Sequence, residues 1–127
     1  KSIPLVQEMA RQNGDAHYIV ARKGRKLYMD NPICVGVKSI TTEKDQKLYV
    51  DKEEMDQMRG KRILIVDDVI STGRSLQALE EIAAAAGADV VGKMAVLAEG
   101  DAASRTDISY LEKLPLFNAK GEPLPFD

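Results

Sequence analysis

The stretch RILIVDDVISTGRSL, Arg62 to Leu76, limits the possible folds more than any other part of the chain. Ile63 to Val66 form an aliphatic run without polar alternation, the pattern of a central strand of a parallel sheet covered on both faces. Leu76, Leu79, Ile82, Ala83 and Ala86 then recur at helical spacing, and Gly87 stands at a C-cap position. Ser75 to Ala86 therefore reads as a helix with one buried face. The apolar run ADVVGKMAVLAE supplies the next strand. Strand, short loop, helix and strand make a right-handed crossover, the unit from which open parallel α/β sheets are built.

The flanking segments extend this reading. Ile3 to Asn13 carries Leu5, Val6, Met9 and Ala10 on one helical face, with Gly14 as its stop. HYIVA is read as a buried strand and ICVGVKSI as a second one, separated by the basic loop ARKGRK. From Thr41 to Lys61 the chain is polar, and its short alternating KLYV followed by charged residues suggests a hairpin or mobile flap. After Glu99, SRTDISYLEKL is read as a helix and PLFNAKGEPLPFD as a Pro-rich tail. The fold expected is α/β, an open, mainly parallel twisted sheet flanked by helices, with a flexible hairpin flap.

With 127 residues, of which 44% are hydrophobic, the chain has the size and apolar share of one domain, residues 1–127. Its opening KSIPL has neither a methionine nor a preceding strand, so an N-terminal strand is expected to be missing. No apolar run approaches the length of a bilayer span and no secretory leader opens the chain, which makes a cytoplasmic protein the expectation. The net charge of −2, with both signs interspersed, argues against nucleic acid and anionic membrane as partners. Cys34, the single cysteine, is read as a buried core thiol. His17 has no metal-ligand spacing around it and is read as a packing or surface residue. Met55 and Met58 are read as packing residues of the flap or core.

Asp67 and Asp68 are expected at the carboxyl end of their strand, where ligands of open α/β sheets bind. Two adjacent carboxylates repel and lose hydration when buried, so both stay ionised only beside a cation or several hydroxyl donors. A sugar diol or Mg²⁺ meets that need. The following STGRS offers hydroxyl side chains, a glycine permitting close backbone approach, and amides at a helix N-terminus, together a cradle for a phosphate monoester. The nucleoside-triphosphatase pattern of Gly, four residues and Gly-Lys-Ser/Thr is absent. A diol or metal site one tight turn from a phosphate site has the layout of a ribose phosphate. ARKGRK adds cations able to meet a multiply charged anion.

These residues resemble a known motif. ILIVDDVISTGRSL is similar to the phosphoribosyl-pyrophosphate motif of the type I phosphoribosyltransferases. KSIPLVQEMARQNG followed by YIVARKGRKL resembles the adenine phosphoribosyltransferase branch. The resemblance covers about Lys1 to Glu99 and implies that Asp67 and Asp68 bind the ribose hydroxyls. It implies that Ser71, Thr72, Gly73, Arg74 and Ser75 hold the 5′-phosphate, while Lys1, Ser2, Arg22 and Lys26 serve the pyrophosphate. Mg²⁺ is the implied cofactor, bridging pyrophosphate and ribose rather than binding directly to protein. The implied substrates are phosphoribosyl pyrophosphate and a purine base, with a nucleotide as product, and the implied assembly is a homodimer.

Ser71 stands where 6-oxopurine enzymes of the family carry an acid, which points to the adenine type. The flap reads SITTEKDQ where adenine enzymes often carry Glu-Tyr, so no catalytic acid is assigned. A base-binding hood is also expected to be missing. The alternative within the family is a regulatory domain that senses phosphoribosyl pyrophosphate without catalysis. A phosphorylation receiver domain shares the strand ending in two acids but leaves the Ser-Thr-Gly loop unexplained.

Overall fold

The computed structural model describes residues 2–37 and 46–126. Helix α1, Ile3–Asn13, forms where the apolar spacing requires it. Gly14 ends it in a left-handed conformation, and the amides of Gly14 and Asp15 return to the carbonyls of Arg11 and Ala10. Strands β1, Pro32–Val37, and β2, Gln46–Asp51, pair antiparallel, with Cys34 opposite Tyr49 and Ile33 opposite Val50. Helix α2, Lys52–Met58, follows, and the Asp51 carboxylate accepts from the Lys52 amide at its start. Strand β3, Arg62–Ile70, helix α3, Arg74–Ala86, and strand β4, Asp89–Glu99, form the expected crossover, with β3 and β4 parallel. A 3₁₀ turn, Gly100–Ser104, leads to strand β5, Ser109–Leu114, which lies parallel to β4. The order β3-β4-β5 makes a three-stranded parallel sheet beside the β1-β2 pair.

Helix α3 separates two apolar clusters. Leu76 packs with Ile65, Ile70, Ala95, Ala98 and Ile108, whereas Ala78, Ile82 and Ala86 pack with Leu48, Val50, Met55 and Met58. Leu79 touches both. The two methionines of α2 are thus core residues, each 6% exposed. On the other face of the sheet, Leu5 and Met9 of α1 and Val66 and Met94 help line an apolar hollow of about 200 Å³.

Several expectations are corrected. HYIVA forms no ladder: an isolated antiparallel bridge joins Arg22 to Tyr49, and Ile19 and Ala21 pack against the second cluster. The charged segment after KLYV is helix α2, because Met55 and Met58 share the inward face that its polar residues leave. The flap residues Thr41 to Asp45 lie outside the described residues. The region read as a helix after Glu99 is a 3₁₀ turn and a strand, since pairing with β4 and the inward-facing Ile108 and Tyr110 override its helix-forming residues. Cys34 is exposed, because strand alternation turns Ile33 inward and its neighbour outward beside Tyr49. Among the described pairings β3 has one neighbour, β4, and Leu64 is 43% exposed, so it is not covered on both faces throughout. His17 is exposed, as a surface residue.

Candidate functional site

Asp67 and Asp68 do not stand at the end of their strand. The ladder continues past them, with Asp67 opposite Ala95, Val69 opposite Leu97 and Ile70 opposite Ala98, because the apolar Val69-Ile70 pair completes the strand and buries Ile70. Each carboxylate accepts from the amide of the next residue, Asp67 Oδ1 from Asp68 N and Asp68 Oδ1 from Val69 N, both at 2.8 Å. One oxygen of each is thereby engaged.

The two acids divide their affinity for protons. Burial, reinforced by the neighbouring Asp68 carboxylate, pushes Asp67 above the ordinary aspartate value. The hydrogen bond with Asp67, followed by the Val69 amide, holds Asp68 below it. Two interacting carboxylates lose their protons in two steps, and the charge left by the first opposes the second.

Beyond Ile70 the chain turns through Ser71 and Thr72 to Gly73, which precedes α3 with φ +83° and makes no side-chain cap. The αL conformation suits glycine and no β-branched residue. The turn encloses a hollow of about 90 Å³ lined by Asp67 and by the run from Val69 to Leu76. The structure therefore brings Asp67 together with all five loop residues, Ser71, Thr72, Gly73, Arg74 and Ser75. Backbone amides at the start of a 13-residue helix face this region, where the helix dipole favours an anion.

None of the other described residues of the sequence reading lines this hollow. Ser2 precedes α1, its carbonyl accepting from the Val6 amide at 2.9 Å. Arg22 exchanges two backbone hydrogen bonds with Tyr49, and its guanidinium lies 5.8 Å from the Tyr28 ring centre. It also opposes the upward shift that burial gives the Glu54 carboxyl. Lys26 is exposed, and its carbonyl accepts from the Met29 amide. These contacts tie the basic loop to the β1-β2 side of the molecule. Lys1 lies outside the described residues.

Among the described residues, Glu99 and Arg105 come to the loop from outside it. Ser71 Oγ donates to Glu99 Oε1 at 2.8 Å, and Glu99 closes β4 beside β3, a neighbour that the parallel crossover could have indicated. Arg105 is the other: a methyl group in place of the Gly73 hydrogen would fall 2.7 Å from its Nη1. Nothing in the local sequence marks that approach, which depends on the path of the 3₁₀ turn. Among the described residues no group of three or more His, Cys, Asp or Glu side chains could hold a metal ion. No helix among them is long and apolar enough to cross a membrane.

Comparison with known proteins gives a consistent result. The phosphoribosyl transferase domain family matches residues 1–119. The hypoxanthine/guanine phosphoribosyltransferase of Methanococcus voltae is 35% identical over 103 residues, 81% of this chain and 51% of that protein. The xanthine phosphoribosyltransferase of Geobacillus thermodenitrificans is 36% identical over 75 residues, 58% of this chain and 38% of that one. The adenine phosphoribosyltransferase of Treponema pallidum is 38% identical over 79 residues, 62% of this chain and 39% of its own length. The chain thus spans about half the length, or less, of these curated relatives. In fold it is similar to the crystal structure of adenine phosphoribosyltransferase from Thermoanaerobacter pseudethanolicus, with a TM-score of 0.68 at 20% identity, covering 85% of this chain and 62% of the other.

Proposed function

Because the chain belongs to the phosphoribosyl transferase domain family, we propose that it carries the ribose-phosphate site of a purine phosphoribosyltransferase of the adenine type. The reaction transfers ribose 5-phosphate from phosphoribosyl pyrophosphate to a purine ring nitrogen. The bond from the anomeric carbon to pyrophosphate breaks, a carbon–nitrogen bond forms, and the base loses its ring proton. The observation that carries the reading is the hollow joining Asp67 to the Ser71–Ser75 turn at the start of α3.

In this reading the turn and its amides bind the 5′-phosphate, while Asp67 and Asp68 accept from the ribose hydroxyls with the oxygens their backbone contacts leave. Fixing both ends of the sugar holds the anomeric carbon for attack and reduces the entropy still to be lost at the transition state. Lys1, Ser2, Arg22 and Lys26 are assigned to the pyrophosphate end. The half-buried Asp67 and Asp68 would hold Mg²⁺ only indirectly, by fixing the sugar hydroxyls. When bound, Mg²⁺ supplies positive charge to the departing pyrophosphate. Ser71, in place of an acid, supports adenine over the 6-oxopurines. A single phosphoribosyltransferase-like domain, a cytoplasmic location and a homodimer complete the proposal.

The test is calorimetric titration with phosphoribosyl pyrophosphate and Mg²⁺, followed by pyrophosphate release with each purine. The parent protein is expected to bind and to release pyrophosphate with adenine. The double variant Asp67→Asn, Asp68→Asn is expected to lose at least tenfold in affinity, about 1.4 kcal/mol or more, while remaining folded. Equal binding by that variant overturns the ribose assignment. Release with a 6-oxopurine but not adenine overturns the base, and binding without release favours the sensing domain.

A further inference from the structure

Arg105 comes to the Gly73 turn from outside the loop, beside the residues that line the hollow rather than among them. Arg105 follows the 3₁₀ turn, whose Ala102 and Ala103 are buried at 1% and 9% exposure. The Arg105 amide donates to the Ala102 carbonyl at 3.1 Å, and Tyr110 Oη donates to the Ala103 carbonyl at 2.7 Å. The backbone that launches this side chain is therefore anchored in the core and to β5.

The guanidinium is oriented by an ion pair. Its Nε and Nη2 donate to the two carboxylate oxygens of Asp107 at 2.8 and 2.7 Å, a bidentate fork. Asp107 lies 3.4 Å from Lys93 Nζ, and Lys93 pairs in turn with Glu80 on α3. Arg105 holds the Asp107 carboxyl well below the usual carboxylate range, and Asp107 raises the guanidinium further. This network fixes the plane of the fork and leaves Nη1 as the nitrogen turned to Gly73, at a distance that any side chain there would invade. Only a glycine at position 73 lets the cation come this close to the turn.

An ion-pair network that served stability alone would need no guanidinium edge against the backbone of an anion-binding turn. Two acids and two bases balance within it, yet a doubly charged phosphate at the start of α3 would sit beside a fixed donor with its geometry already set. We propose that Arg105 is a phosphate-binding residue of this site, donating from Nη1 to the 5′-phosphate held at Gly73 while Asp107 keeps its guanidinium in place. The inference rests on the proposed reading of the Ser71–Ser75 turn and adds to it a ligand group supplied by the segment after β4.

The test is titration of the protein and its Arg105→Gln and Arg105→Lys variants with ribose 5-phosphate at low and high potassium chloride, alongside the melting temperature of each ligand-free variant. Arg105→Gln is expected to weaken ribose 5-phosphate binding about tenfold and to flatten its salt dependence. Arg105→Lys, which keeps the charge and loses the fork, is expected to lie between the two and also supplies the measurement if the glutamine variant fails to fold. Unchanged affinity and salt dependence in the variants overturn the role of Arg105 while leaving the turn as the phosphate site. Affinity that follows melting temperature, with no rescue by lysine, also overturns it as a structural effect. Failure of the parent protein to bind ribose 5-phosphate overturns the reading of the turn and this inference with it.

Discussion

Adjacent carboxylates in a half-buried strand cannot hold their charges equally, and Asp67 and Asp68 divide them in opposite directions. A raised value at Asp67 means that its ionisation is less favourable in the folded chain than in the unfolded one. That cost is absent well below the ordinary value of 3.8 and grows as pH rises from there through the raised value. Asp68 has the opposite sign, contributing stability above its ordinary value that is lost as pH falls through its lowered one. Asp67→Asn should therefore stabilise the fold at neutral pH and give no gain well below 3.8, measured by urea unfolding at both conditions. A gain independent of pH would contradict the shift. The acids and the Ser-Thr-Gly turn were legible in the sequence because their chemistry is local. The exposure of Cys34 is not legible there, because an apolar run does not show which face of a two-stranded sheet each residue takes.

At the scale of elements, α3 was readable from its spacing and from Gly87, and α1 from its spacing and Gly14, because a helical face and a left-handed cap are both written in short stretches. β4 was likewise readable as an apolar run after a helix. β5 was not, since Ser109 to Leu114 contains good helix formers and becomes a strand only by pairing with β4. α2 escaped for the converse reason, a seven-residue helix being too short to display a period. The consequence of a shared face is measurable at Ile82, 3% exposed on α3 and packed in the cluster with Leu48, Val50 and Met55. Ile82→Ala should cost about 3 kcal/mol of unfolding free energy through lost burial and the cavity left behind. Denaturant unfolding checks this, and a loss below about 1 kcal/mol would show that the cluster is loosely packed.

Across the whole molecule, the crossover and the turn it carries were accessible from the sequence, whereas the assembly around them was not. Glu99 and Arg105 come to the turn from 28 and 32 positions beyond Ser71 and Gly73, along a path set by the sheet register and the 3₁₀ turn. The missing ladder at HYIVA is also a property of the assembly, because its residues are apolar enough for a strand and find packing instead of a pairing partner. Helix α3 is a common wall for both apolar clusters, with Leu79 in contact with each and the candidate site at its first turn. A ligand that steadies that first turn acts on a single cooperative unit that includes both sheets. Amide hydrogen exchange should then slow at β2 and β4 together when phosphoribosyl pyrophosphate and Mg²⁺ are added, and slowing confined to Ser71–Leu76 would contradict it. The wall that keeps the two clusters apart is in that sense what lets them report on the same occupancy.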